Sequence, residues 1–302
     1  MKNFLSKTII CLTAIIMAII IYLYINRNFM NGEVKISSRI FKNELIFQTK
    51  FNSISKKDIQ VFVISLDRTP ERYETMKNQL QANDIIHQKF SAVDGYNLNI
   101  VHSKTGDKFC GKDLKDMKIS ILPNERYDIL CPSSKSSYFS SGRIFTAGEF
   151  GCHCSHREIW HKIVSHNIEY ALVLEDDIIF PTDFQKKFTD LINNLPNEWG
   201  VIYLYAVVDP AKKIKIKNNS HIIKFRPNSH LVYGTVAYLI TFKAAKEMLA
   251  VSEGFSGPID ESMSKAIDTE KVRAYQALQI SLSTPDHLTK GESIIRSMGR
   301  AS

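Results

Sequence analysis

Apolar residues along the chain fall into short continuous runs separated by amphipathic stretches, the alternation expected of buried strands and the helices that cover them. IQVFVISL (59–66) is apolar and rich in β-branched residues and predicts a buried strand. Asp67-Arg68-Thr69-Pro70 then turns the chain. Thr69 can cap a helix with Pro70 at its first position and Glu71 in its first turn, and Tyr73, Met76 and Leu80 supply the apolar stripe. Ile85 to Phe90 predicts a second strand, leading into Ser91-Ala92-Val93-Asp94-Gly95. Strand, helix, strand is the opening of a doubly wound sheet, in which ligands gather at the carboxyl ends of the strands.

Further along, TAGEFGCHCSHREIWHKIV (146–164) ends in a helical face of Ile159, Trp160, Ile163 and Val164. Ser155 and Glu158 have the spacing of a capping box, which leaves Gly148, Glu149 and Gly151 in a tight loop feeding a helix N-terminus. Tyr170 to Phe180, YALVLEDDIIF, is a central strand interrupted by Glu175, Asp176 and Asp177. Asp183 to Leu195 predicts an amphipathic helix, and 201–208, 221–225 and 233–241 predict strands. The basic run Lys212 to Lys217 suits a solvated edge. Thr241 caps a short helix, and Gly257-Pro258-Ile259-Asp260 makes a turn that presents a carboxylate. Residues 271–282 are mostly β-like. Residues 96–145 are polar and without period, too long for an ordinary connection, and form either a lid or a small subdomain.

Charge sharpens the organisation at the N-terminus. The chain carries a net +8, and residues 1–58 hold nine Lys/Arg against Glu33, Glu44 and Asp58. The remainder is nearly neutral, which argues against a nucleic-acid partner and for an anionic membrane surface. Ile9 to Ile25 is uncharged and flanked by Lys7 and Arg27, a candidate transmembrane anchor. The organisation expected is an anchor over 1–28, a basic stalk over 29–58 and a catalytic domain over 59–302. The basic excess after the span places that domain in the cytoplasm, at a bacterial inner membrane. Of five cysteines, Cys110, Cys131, Cys152 and Cys154 lie outside the span with no framework spacing, so reduced thiols are expected.

The candidate chemistry centres on the acidic triplet. Three carboxylates at the mouth of a buried strand repel one another and lose hydration, which is costly unless a cation neutralises them. Oxygen ligands favour Mn²⁺ or Mg²⁺, and such an ion could hold the phosphates of a nucleotide. Cys152, His153, Cys154, His156 and His161 invite a zinc reading, but their spacing fits no common zinc pattern. Structural roles stay open for Arg72 as a solvated helix residue, His156 as a structural histidine, Glu149 as a loop brace and Asp260 as a cap.

Taken together, VFVISLDRTPERY (61–73), FSAVDG (90–95), AGEFGCHCSH (147–156), YALVLEDD (170–177), GTVAYLIT (234–241) and PID (258–260) resemble the lipooligosaccharide-biosynthesis glycosyltransferases, family 25. The resemblance implies a GT-A-like three-layer α/β/α nucleotide-sugar-binding domain. It also implies transfer of a hexose, galactose from UDP-galactose, to a lipooligosaccharide or other glycan acceptor, with inversion. By motif, Asp177 with Asp176 or Glu175 would bind the metal. Ser65, Arg68, Arg72, Asp94, Ser155 and His156 would surround the donor, with Glu149 lining the pocket near the chemistry and Asp260 as the base. The alternative is a non-catalytic, membrane-anchored binding or scaffold protein that keeps the fold.

Overall fold

The computed structural model describes residues 54–111, 126–132, 137–139, 146–217, 219–227, 232–255 and 257–283. The chain opens with β1 (Ile59–Ser65), α1 (Pro70–Ala82) and β2 (Gln88–Ser91), followed by β3 (Asn99–His102), β4 (Lys108–Cys110), β5 (Tyr127–Ile129) and β6 (Ser137–Phe139). Next come α2 (Ala147–Ser165), β7 (Tyr170–Glu175), α3 (Phe184–Asn193), β8 (Val201–Tyr203), β9 (Lys213–Lys215) and β10 (Ile222–Phe225). The last elements are β11 (Ala237–Thr241), α4 (Phe242–Val251), β12 (Gly254–Phe255), α5 (Ile259–Asp268) and β13 (Ala274–Ala277).

Eight strands form one sheet in the order β2-β1-β7-β11-β8-β13-β10-β9. β1 lies between β2 and β7, parallel to both, as the strand–helix–strand opening predicts. β11 then runs antiparallel to β7 and β8, so the sheet is mixed rather than wholly parallel. Alternation along β1 and β7 divides the core. Phe62, Ile64, Ala171 and Val173 face Trp160, Met248 and Met263 of α2, α4 and α5. Val61, Val63, Leu172 and Leu174 face Met76 and Leu80 of α1 and Phe184 and Phe188 of α3. Both faces of these strands are therefore dry, which is why β7 reads as an unbroken apolar run until its acidic end. The basic run at 212–217 contributes β9, an edge strand, where lysines are suited to discourage further pairing.

Residues 96–145 supply β3 to β6, which join β12 in a separate sheet ordered β12-β6-β5-β3-β4. Leu98, Ile100, Tyr127 and Ile129 pack there against Phe150 and Cys154 of α2. That packing brings Cys131 and Cys154 to a Cα separation of 5.4 Å, joined as a disulfide, while Cys110 and Cys152 remain thiols. The expectation of reduced thiols throughout is corrected: the pairing depends on a strand docking on a helix 23 residues away, which no spacing rule encodes. Closing a loop of that length restricts the unfolded chain by about 3 kcal/mol. Cys131→Ser is accordingly expected to lower unfolding free energy by up to about that amount, read as a reduced urea midpoint relative to the oxidised wild type.

The membrane placement expected from the sequence is also corrected. Among the described residues no helix is long and apolar enough to cross a membrane. The stretch Ile9 to Ile25, on which the single-pass assignment rested, lies outside those residues, as does the stalk up to residue 53.

Candidate functional site

One cleft opens where β1, β2 and β7 end. Its walls include Ser65 at the end of β1, Arg68 just after it, Arg72 on the first turn of α1, Ala92 to Tyr96 after β2, Cys152, Ser155 and His156 on α2, and all three acids of the triplet. Parallel pairing of β1 with both neighbours places these carboxyl ends side by side. The fold thus gathers Ser65, Arg68, Arg72, Asp94, Ser155, His156, Glu175, Asp176 and Asp177 at one place. Glu149 and Asp260 are not part of that lining.

The triplet splits between two sets of partners. Arg72 Nη2 reaches Asp176 Oδ1 at 2.6 Å and Asp177 Oδ2 at 3.3 Å. The opposite oxygens, Asp176 Oδ2 and Asp177 Oδ1, are buried without a hydrogen-bond partner. Burial raises the Asp176 carboxyl, against the opposing pull of Arg72. Burial, then the charge of Glu175, pushes Asp177 up to about 7. Two buried carboxylates with one guanidinium between them and two orphaned oxygens fit a hard cation, whose charge and oxygen preference would complete the set.

Glu175 is bound differently. Its Oε1 accepts from Thr235 Oγ1 at 2.5 Å and lies 3.3 Å from His156 Nε2. His156 Nδ1 is 2.8 Å from the Tyr238 hydroxyl, which also accepts from Trp160 Nε1 at 3.0 Å. Burial would raise Glu175, but the His156 imidazole and the Thr235 hydroxyl hold it below the usual carboxylate range. Trp160 is wholly buried, in keeping with its sequence reading as a core residue.

The walls owe their shape to backbone contact. α2 starts at Ala147 and not at Ser155: Thr146 accepts from Glu149 N, and the Glu149 carboxylate accepts from Thr146 N. The expected capping box at Ser155 and Glu158 is therefore displaced by one nine residues earlier, and Glu149 is occupied as its acidic half. The two glycines that suggested a loop lie inside the helix, because Gly151 packs against backbone. A Cβ at Gly151 would stand 2.6 Å from Val93 O and 2.7 Å from Gly95 N. Ser155, mid-helix, donates to Gly151 O at 2.7 Å and accepts from Val93 N at 2.9 Å, pinning the Val93–Gly95 turn to the helix. Gly151→Ala is expected to push that turn off α2, at about 1–3 kcal/mol of stability. A lower melting temperature would report it.

Asp94 accepts from Tyr96 N at 3.1 Å and pairs with Arg68 Nε at 2.9 Å, so both its oxygens serve the rim. The Arg68 guanidinium lies over the Tyr96 ring at 5.4 Å. Thr69 sits at the cap position of α1 but makes no side-chain cap bond. Asp260 occupies the first turn of α5, not an open turn. Burial raises its carboxyl, and the Gly234 N–H bond opposes that. Thr235 and Tyr238 escaped sequence reasoning: they belong to a run legible only as strand, and the pairing of β11 with β7 is what sets them beside Glu175 and His156.

Known proteins are similar to this chain over the region that carries the cleft. Residues 58–263 match the description "Glycosyltransferase family 25 (LPS biosynthesis protein)". The chain is 30% identical over 224 residues to the inactive glycosyltransferase 25 family member 3 of Homo sapiens, covering 72% of this chain and 33% of that protein. It is 27% identical over 225 residues to procollagen galactosyltransferase 2 of Homo sapiens, covering 72% and 32%. Procollagen galactosyltransferase 1-B of Xenopus laevis is 29% identical over 226 residues, with the same shares. The chain therefore spans about a third of the length of these relatives. A solved inositol-1-phosphate CTP transferase from T. maritima overlaps 46% of this chain and 60% of its own at 17% identity, with a TM-score of 0.25. With a family match over more than two thirds of the chain, enclosing every residue that lines the cleft, the protein belongs to glycosyltransferase family 25.

Proposed function

We propose that this chain transfers galactose from UDP-galactose to a hydroxyl of a glycan acceptor, with inversion. The observation that carries the reading is the pair Asp176 and Asp177, each with one oxygen on Arg72 and one orphaned, at the mouth of the cleft. Mn²⁺ or Mg²⁺ bound there would stabilise the charge of the departing diphosphate as a Lewis acid. Arg68, partly exposed on the rim, can bind a phosphate oxygen through the guanidinium edge that Asp94 leaves free. Ser65 Oγ, buried at the end of β1 beside the Asp176 carboxyl, can donate to the nucleotide. Asp94 and Ser155 act by holding the Val93–Gly95 wall that the nucleoside rests against, and His156 by positioning Glu175. Asp260, outside the cleft lining on the first turn of α5, is the candidate base for the acceptor's proton, its carboxyl raised by burial. The galactosyl specificity rests on the galactosyltransferase relatives. The acceptor is a glycan of lipooligosaccharide type or another saccharide. Glu149 is given no catalytic part, since its carboxylate is engaged in the cap of α2.

A second reading has its own support, the inactive relative at 30% identity: the cleft binds a nucleotide sugar without turning it over. Purified protein with Mn²⁺ and UDP-galactose separates the two. Release of UDP or transfer, abolished by chelation, supports the transferase. Donor-dependent stabilisation of about 2.7 kcal/mol at ~100 Kd with no product supports the binding protein. No stabilisation by any UDP-sugar, with or without Mn²⁺, overturns both.

A further inference from the structure

Beside the Arg72-bound carboxylates the cleft holds a second set of donors. Cys152 Sγ, one His156 nitrogen and one Glu175 oxygen all lie within 4.8 Å of one another. We propose that these three residues form a soft-cation site that takes Zn²⁺, separate from the hard-cation pair Asp176 and Asp177. The inference needs the cleft's geometry alone and does not depend on the transferase reading.

Donor chemistry comes first. A thiolate, an imidazole and a carboxylate are a zinc set, whereas Mg²⁺ and Mn²⁺ favour oxygen throughout. Placement comes next. Cys152 and His156 are four residues apart on α2 and so share one helix face, and the strand end of β7 brings Glu175 against them. The spacing is also informative. His156 Nε2 and Glu175 Oε1 stand 3.3 Å apart, longer than the about 2.7–2.9 Å of a charge-assisted hydrogen bond. Two ligands held at about 2.0–2.1 Å on a tetrahedral zinc would be about 3.3 Å apart. A sulfur at about 2.3 Å would be about 3.6 Å from either, so Cys152 Sγ needs to close by no more than about 1.2 Å.

The supporting shell is already built. His156 Nδ1 is paired with the Tyr238 hydroxyl at 2.8 Å, which leaves Nε2 as the atom directed to Glu175 and the ion. Tyr238 is in turn held by Trp160, and Thr235 steadies Glu175 Oε1. Ligating histidines characteristically engage their other nitrogen in this way, and ligating carboxylates are themselves hydrogen-bonded. All three ligands line the cleft, so a fourth coordination position opens toward whatever occupies it. The competing description is a closed hydrogen-bond network in which the thiol is paired with Thr235 and binds no ion.

Cobalt(II) distinguishes them, because only a thiolate ligand gives it an intense near-ultraviolet charge-transfer band. Full-length protein, oxidised so that Cys131–Cys154 is intact and stripped of metal, is titrated with CoCl₂. The expected result is a band that saturates at one equivalent and is bleached by one equivalent of Zn²⁺. The Cys11→Ser/Cys110→Ser variant should keep it, since Cys152 is then the remaining thiol outside the disulfide. Asp177→Asn should keep it as well, and Cys152→Ser should lose it. A folded wild type that binds cobalt without the band, or not at all, overturns the proposal even if Cys152→Ser fails to fold. Loss of the band in Cys11→Ser/Cys110→Ser, or its survival in Cys152→Ser, overturns it equally. UDP-galactose turnover with Mn²⁺ is read separately, so either idea can fail without the other.

Discussion

Asp177→Asn is expected to be at once the least active and, above neutral pH, the more stable form of this protein. The activity loss follows from removing a carboxylate that would hold the cation against the leaving diphosphate. Loss of one such electrostatic contact to a transition state is worth about 10²–10³-fold in kcat. The stability gain follows from the metal-free fold. Burial and then Glu175 push the Asp177 carboxyl up to about 7, whereas in the unfolded chain it titrates near its ordinary value of 3.8. Between those values the folded state holds a proton that the unfolded state has released. Unfolding free energy of the metal-free wild type therefore falls as pH rises from about 4 to about 7, and stays low above that. An asparagine does not ionise, so the variant should lose this slope and exceed the wild type at pH 8 by a few kcal/mol. Chemical denaturation across pH 4–8 in EDTA, with initial rates in Mn²⁺, measures both. Wild-type turnover in Asp177→Asn would remove the carboxylate from the mechanism, and an unchanged pH slope would remove the burial argument.

Arg72→Met is expected to move stability the other way. Arg72 is the one cation within reach of both carboxylates among the described ion pairs, at 2.6 Å from Asp176 and 3.3 Å from Asp177. Its removal leaves two buried like charges without compensation, a loss of about 3–5 kcal/mol when an ion pair is broken on one side only. The loss should be largest at pH 8 and shrink toward pH 5, as Asp177 takes up its proton. Millimolar Mn²⁺ should restore part of it in the folded state alone, by mass action. Arg72→Lys is expected to recover little, because an ammonium cannot bridge two carboxylates as a planar guanidinium does. Thermal melts of the three proteins at pH 5 and pH 8, with and without Mn²⁺, form the test. Equal melting temperatures for wild type and Arg72→Met at pH 8 would mean that water already solvates the acids and the Arg72 pairing adds no stability.

The stability opposition between these two substitutions turns on a feature that was half legible. That Glu175, Asp176 and Asp177 end a buried strand could be read directly, since an apolar run stopping at acids needs no partner to be recognised. That they divide, two to Arg72 and one to His156 and Thr235, could not. Arg72 lies over a hundred positions before them, and Thr235 sixty after Glu175. The start of α2 misled for a related reason. Gly148 and Gly151 are poor helix formers in isolation, and they read as loop until the close approach of the Val93–Gly95 backbone explains why no larger residue can stand at Gly151.

The strand–helix–strand opening, the apolar stripes of α1 and α3, and the position of the acidic cluster were inscribed in the chain, because each depends on side chains within a turn or two of one another. Folding in three dimensions set the remainder: the antiparallel insertion of β11, the Cys131–Cys154 bond, and the separate companions of three consecutive acids. At a strand's end successive side chains leave in different directions. Which neighbour each one meets depends on elements far away in the chain, whose approach is governed by packing and not by any local pattern.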